Sequence, residues 1–135
     1  MNQVCLVGRC VAFKGKGPVQ PQKASGGGQW WVTQILHVVG STGRHNNLVP
    51  IIRYVRSFED AERLGHMLTA GNVVEVSGHL YGKPKKLTVI MDALRVVAWD
   101  EKAGELYRQN YASHDEPHGA PLIFEVTDGE DEDGR

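Results

Sequence analysis

The sequence predicts an all-β domain, a five-stranded Greek-key barrel with one helix between its third and fourth strands. Three observations predict it. Five β-rich runs, at residues 3–13, 29–39, 47–56, 72–80 and 87–98, are punctuated by Gly-, Pro- and Asn-bearing turns. One segment, 57–70, carries a helical period, and it falls between the third run and the fourth. The chain has 135 residues and is 41% hydrophobic, enough for one domain with a real core.

The first run (QVCLVGRCVAF) is apolar on both faces except at Arg9. Gly8 in its middle marks a bulge or a sharp bend, as in a tightly curled barrel. Residues 14–28 (KGKGPVQPQKASGGG) hold five glycines and two prolines and read as a long basic loop without regular structure. In the second run Trp30, Val32, Leu36 and Val38 share the expected core face, with Gln34 as a polar exception. Trp31, Thr33, Ile35 and His37 share the outer face. Pro50 gives the third run an edge or a bulge. Ser57 is a good N-cap for the helix, and Glu59 and Asp60 suit the positive end of its dipole. Phe58, Ala61, Leu64 and Leu68 form its apolar stripe, and Gly71 is the expected stop. Val74, Val76, Gly78 and Leu80 alternate with Glu75, Ser77 and His79 in the fourth run. Residues 81–86 (YGKPKK) make a basic turn into the fifth. Three strands, a helix and a two-stranded hairpin are the element order of the OB-fold.

Charge divides the chain. Residues 1–98 carry twelve Lys/Arg against five Asp/Glu, a net of +7, whereas 99–135 carry three against eleven, a net of −8. The expected organisation is a nucleic-acid-binding domain over 1–98 and an acidic, flexible tail over 99–135. Cys5 and Cys10 lie an odd number of residues apart in one strand and so face opposite ways. They read as unbridged, buried thiols of a reducing compartment. The N-terminus enters a strand pattern within three residues, and no apolar run approaches the length of a membrane span. The expected location is the cytoplasm, at the nucleoid.

Several strings resemble the bacterial single-stranded DNA-binding protein (SSB) family. Asn2-Gln3-Val4-Cys5-Leu6-Val7-Gly8-Arg9 looks like that family's first strand. The stretch from Leu68-Thr69-Ala70-Gly71-Asn72 through Val76-Ser77-Gly78-His79-Leu80 looks like its helix end and fourth strand. The similarity covers residues 1–98, and the dimeric primosomal replication protein N (PriB) has the same architecture. The resemblance implies an OB-fold that binds single-stranded DNA as a homo-oligomer, a tetramer on the SSB pattern or a dimer on the primosomal one. Two features depart from the SSB pattern. The loop between strands four and five is short, and the acidic tail ends in Gly134-Arg135 where family members end in Pro-Phe.

A non-specific single-strand binder needs cations along the backbone path and flat side chains on which bases stack. The candidates are Arg9, Lys14, Lys16, Lys23, Arg53, Arg56, Lys83, Lys85 and Lys86 for phosphates, with Arg44 also in a loop. Trp31, Tyr54 and Tyr81 are the candidates for bases. Other chemistry finds little support. His114 and His118 have ligand-like spacing but no cysteine partner, so no metal is expected. No phosphate-binding glycine loop, nucleophile set or carboxylate pair is present, and neither an enzyme nor a cofactor is expected. The expected function is non-sequence-specific single-stranded DNA binding in replication, repair or recombination, with protein partners reached through the acidic tail. A replication-restart scaffold and an RNA-binding OB module are the alternatives, since stacking and phosphate contacts serve DNA and RNA alike.

Overall fold

The computed structural model describes residues 3–11, 17–24, 29–38, 48–83 and 87–111, and the backbone of 122–123. In chain order the elements are β1 (Val4–Cys10), β2 (Gln22–Lys23), β3 (Trp30–Val38), β4 (Leu48–Val55), α1 (Phe58–Met67), β5 (Val73–Tyr81), β6 (Thr88–Ala98), α2 (Glu101–Tyr111) and β7 (Leu122–Ile123). The sheet runs β1-β5-β6-β4-β3-β2, and β1 also pairs with β3, so five long strands close into a barrel. The β4–β6 pairing is parallel and short, Ile51 with Val89 and Ile52 with Ile90; the other pairings are antiparallel. A closed Greek-key barrel with a helix between its third and fourth long strands is the OB-fold, as the element order predicts.

Alternation decides what each strand buries. Val4, Leu6, Gly8 and Cys10 of β1 turn inward, and Cys5, Val7 and Arg9 stand exposed. Gly8 belongs to both of the strand's pairings, opposite Val74 of β5 and Val38 of β3. A Cβ there would stand 2.9 Å from the His37 carbonyl oxygen, so the glycine marks the corner where the barrel closes. The one-residue irregularities lie elsewhere, between Val73 and Val74 and between Ser77 and Gly78 of β5 opposite β6. Leu36, Ile51, Leu64, Leu68, Met91 and Leu94 fill the centre. Gln34 does face inward, where its amide donates to the Leu68 carbonyl at 2.8 Å, while its own carbonyl oxygen accepts from the Ile35 N–H. Both halves of this half-buried amide are thus satisfied.

Helix α1 plugs one end of the barrel. The Ser57 hydroxyl accepts from the Asp60 N–H at 3.0 Å, the capping bond its sequence predicts. Ala61, Leu64 and Leu68 are fully buried, but Phe58 is exposed on one side and meets Trp30 edge-on at 4.9 Å. The helix closes at Leu68, earlier than the expected stop, and Gly71 turns the chain into β5 with φ +98°. There the Gly71 N–H donates to the Cys10 carbonyl, and the Cys10 N–H to that of Asn72.

Three expectations need correction. Residues 14–28 are not without regular structure, because β2 pairs with β3 at Gln22–Trp31 and Lys23–Trp30. Cys5 is exposed; only Cys10 is buried, and burial pushes its thiol up to about 12. The segment after 98 begins with a packed helix. Ala103, Tyr107 and Tyr111 form one stripe of α2, Trp99 precedes it by the same four-residue step, and Trp99 and Tyr107 pack against the core. Arg63 of α1 donates to the Tyr107 hydroxyl at 2.7 Å and lies 5.6 Å from the Tyr111 ring centre. Buried Asn72 joins the parts, donating to Met67 of α1 and accepting from the Asp100 N–H ahead of α2. Last, Leu122 and Ile123 add a two-residue strand to β6, opposite Leu94 and Ala93.

Candidate nucleic-acid interface

The outer face of β2–β3–β4 is set by register. Gln22, Trp31 and Tyr54 lie side by side on three neighbouring strands. The Trp31 and Tyr54 rings stack with centroids 6.4 Å apart and planes inclined by 29°. Farther along, the same face carries the cross-strand pairs Thr33–Ile52, Ile35–Pro50 and His37–Leu48. None of these residues is acidic. The outer face of β5–β6 is different: Arg95 is bound to Glu75 at 3.2 Å, and His79 lies 3.1 Å from Asp92. Carboxylates there oppose a phosphate chain, whereas the β3–β4 face offers it aromatic and neutral surface.

The remaining candidates fall at different places. Arg56 is exposed just beyond β4, at the end that carries Tyr54. Lys23 is exposed on β2 opposite Trp30, so its side chain starts from the face away from Trp31, at the sheet edge. Arg9 is exposed opposite His37, about 20 Å along β3 from Trp31 by strand rise. Its guanidinium donates to the Gly71 carbonyl at 3.1 Å. Tyr81 is 39% exposed and Lys83 is exposed. Both belong to the β5–β6 hairpin, whose Tyr81–Thr88 pair lies across β6 from the Pro50 end of β4. The structure thus gathers Trp31, Tyr54 and Arg56, with Lys23 at the rim, and leaves Arg9 and the Tyr81–Lys83 hairpin apart. Lys14, Lys16, Arg44, Lys85, Lys86, His114 and His118 lie outside the described residues.

Arg53 is corrected outright. It pairs with Val32 on the inward face of β4, between Ile51 and Val55, and is only 4% exposed. Its guanidinium donates to the Met91 carbonyl at 3.3 Å and lies 3.8 Å from the Asp92 carboxylate. A group so enclosed cannot neutralise a phosphate on the surface. The apolar residues on either side, two positions away, were the signal that this arginine points in. Sequence reasoning also missed Gln22, because a two-residue strand has no periodicity to read.

Among the described residues no cluster of His, Cys, Asp and Glu is placed to hold a metal ion, and no helix is long and apolar enough to cross a membrane. No protein-family profile matches the sequence, and no curated protein matches it. Solved structures do resemble the fold. A deletion mutant of the single-stranded DNA-binding protein from Thermus aquaticus aligns with TM-score 0.52 and 20% identity, over 74% of this chain and 42% of that one. The N-terminal domain of PriB from Thermoanaerobacter tencongensis aligns with TM-score 0.49 and 26% identity, over 73% and 98%. PriB from Ralstonia solanacearum gives TM-score 0.49 and 16% identity, over 72% and 98%. The chain therefore spans under half the length of the Thermus protein, and at 20% identity what the two share is the OB-fold.

Proposed function

We propose that the protein binds single-stranded DNA without sequence preference, stacking bases on Trp31 and Tyr54 and neutralising phosphates with the basic residues around them. One observation carries this reading: a stacked tryptophan–tyrosine pair on an outer strand face free of carboxylates. Bases supply a π-face whatever their identity, and among the described residues this surface presents no element shaped to read base edges in a duplex groove. The likeness of the barrel to a protein described as single-stranded DNA-binding supports the reading. Its work would be sequestering exposed strands in replication, repair or recombination, in the cytoplasm at the nucleoid, as a binding module rather than a catalyst. The acidic end of the chain would reach protein partners.

Homo-oligomerisation belongs to the same proposal. Val7 of β1 is 41% exposed beside exposed Cys5, an apolar outer surface that a second copy would cover. Light scattering at micromolar concentration should give a dimer or tetramer; a monomer overturns this part alone.

Tryptophan fluorescence tests the binding. Oligo-dT titrated at two salt concentrations should quench Trp31, more weakly at high salt, and should bind well ahead of duplex DNA. Oligo-U in the same titration separates DNA from RNA preference. Tight duplex binding, with Trp31 and Tyr54 both dispensable, sinks the single-strand reading.

A further inference from the structure

Gly65 sits inside α1, buried and without positive φ, where glycine is a poor helix former. Its surroundings explain it. The segment from Gly17 to Ala24 crosses the helix at this point, and a Cβ on Gly65 would overlap the Val19 carbonyl oxygen, with the Val19 carbonyl carbon at 3.3 Å. The Gly65 carbonyl lies in the last turn of α1, where carbonyls lose their helical donors. It accepts the Val19 N–H at 3.2 Å, and the Val19 side chain packs against the core. Three residues later the same segment forms β2 on β3, and the Ala24 N–H donates to the Gln29 carbonyl at 2.9 Å. The segment is a strap fastened at two points, the helix and the sheet edge. Gln22 then flanks Trp31 on the side opposite Tyr54, and Lys23 is held at the rim.

We infer that Gly65 is a positioning residue for single-strand binding: by seating the strap it keeps β2 on β3 and so fixes Trp31 and Lys23 for the nucleic acid. The inference rests on the proposed function. Two variants test it from opposite ends of one contact, G65A, which adds the forbidden Cβ, and V19P, which removes the donor. Helix propensity alone makes G65A a stabilising change, so a helix-forming role for this position predicts no loss of binding. With the melting temperature retained, both variants should instead bind oligo-dT at least fivefold more weakly. The slope of log K against log salt should be shallower by about 0.7 if Lys23 loses one phosphate. The backbone amides of Gln22 and Lys23 should exchange faster with solvent. G17A is the control, since a Cβ at Gly17 meets none of the described residues within 4 Å, and it should bind as wild type does. Faster exchange at residues 22–23 with unchanged affinity and slope overturns the inference, as does undiminished protection in both variants. A wild-type protein that binds no oligo-dT removes the functional reading itself and the inference with it.

Discussion

Trp31 and Tyr54 are neighbours across two strands and touch through their rings, so their contributions to binding are coupled. Replacing either with Ala should weaken oligo-dT binding by about 1–3 kcal/mol and leave the salt slope nearly unchanged, because stacking releases no counterions. The double variant should lose less than the two singles together. Arg53 should behave in the opposite way. Arg53→Met removes a buried donor to the Met91 carbonyl and the neighbour of Asp92. Stability should fall by about 1–3 kcal/mol in denaturant unfolding, while the folded fraction binds oligo-dT normally. Reduced affinity in fully folded Arg53→Met would place this residue in the interface after all.

At the scale of elements, α2 is the part whose attachment can be tested most directly. It rests on α1 through Arg63, His66, Tyr107 and Tyr111, with Trp99 beneath. A chain ending at residue 98 should be less stable than one ending at 111 by about 3 kcal/mol, the value of burying aromatic surface. Equal unfolding midpoints would show α2 to be an ornament. The same contact is sensitive to pH from both sides. Burial, with Glu62 adding to it, raises the Tyr111 phenol from 10.0 to about 12. A raised folded value means that its share of stability is complete below pH 10 and disappears as pH climbs toward 12. Burial lowers the His66 imidazole, partly offset by Glu62, so its share is complete above pH 6.5 and declines as the solution becomes more acidic. Stability should therefore peak between these limits. Tyr111→Phe should remove the alkaline decline and His66→Gln the acidic one; pH profiles of thermal unfolding that both variants leave unchanged would place the titrating groups elsewhere.

Over the whole molecule, the charge division sets up an internal competition. Residues 1–98 carry a net of +7 and 99–135 a net of −8. Acidic residues tethered to a basic domain compete with phosphates at low salt, and the competition fades once the Debye length falls below about 10 Å. Deleting residues 113–135 should tighten oligo-dT binding at low salt and change it little at high salt. Unchanged affinity at low salt would leave the acidic end as a spacer or a peptide for partners. The deletion also removes β7 from the edge of β6. Deletion of 125–135 alone, which keeps β7, separates charge from strand pairing.

The barrel was legible in the chain: its element order, the place and cap of α1, the inward set Val32, Leu36, Val74 and Val76, and the outward Trp31. These follow from short-range rules, the two-residue period of a strand and the chemistry of a cap, which any window of the chain displays. Arg53 was legible by the same alternation but hidden by its charge, because the rule that charges face water yields where a carbonyl and a carboxylate await the guanidinium. The tertiary fold settled the rest. It made the stripe of Ala103, Tyr107 and Tyr111 a docked helix by supplying Arg63 and Asn72, which lie tens of residues earlier in the chain. It placed Val19 against Gly65 and formed β2 beside Trp31. It also set the Tyr81 hairpin apart from the aromatic pair. Each of these depends on contacts between residues remote in sequence, and local patterns carry no record of which remote surface a segment will meet.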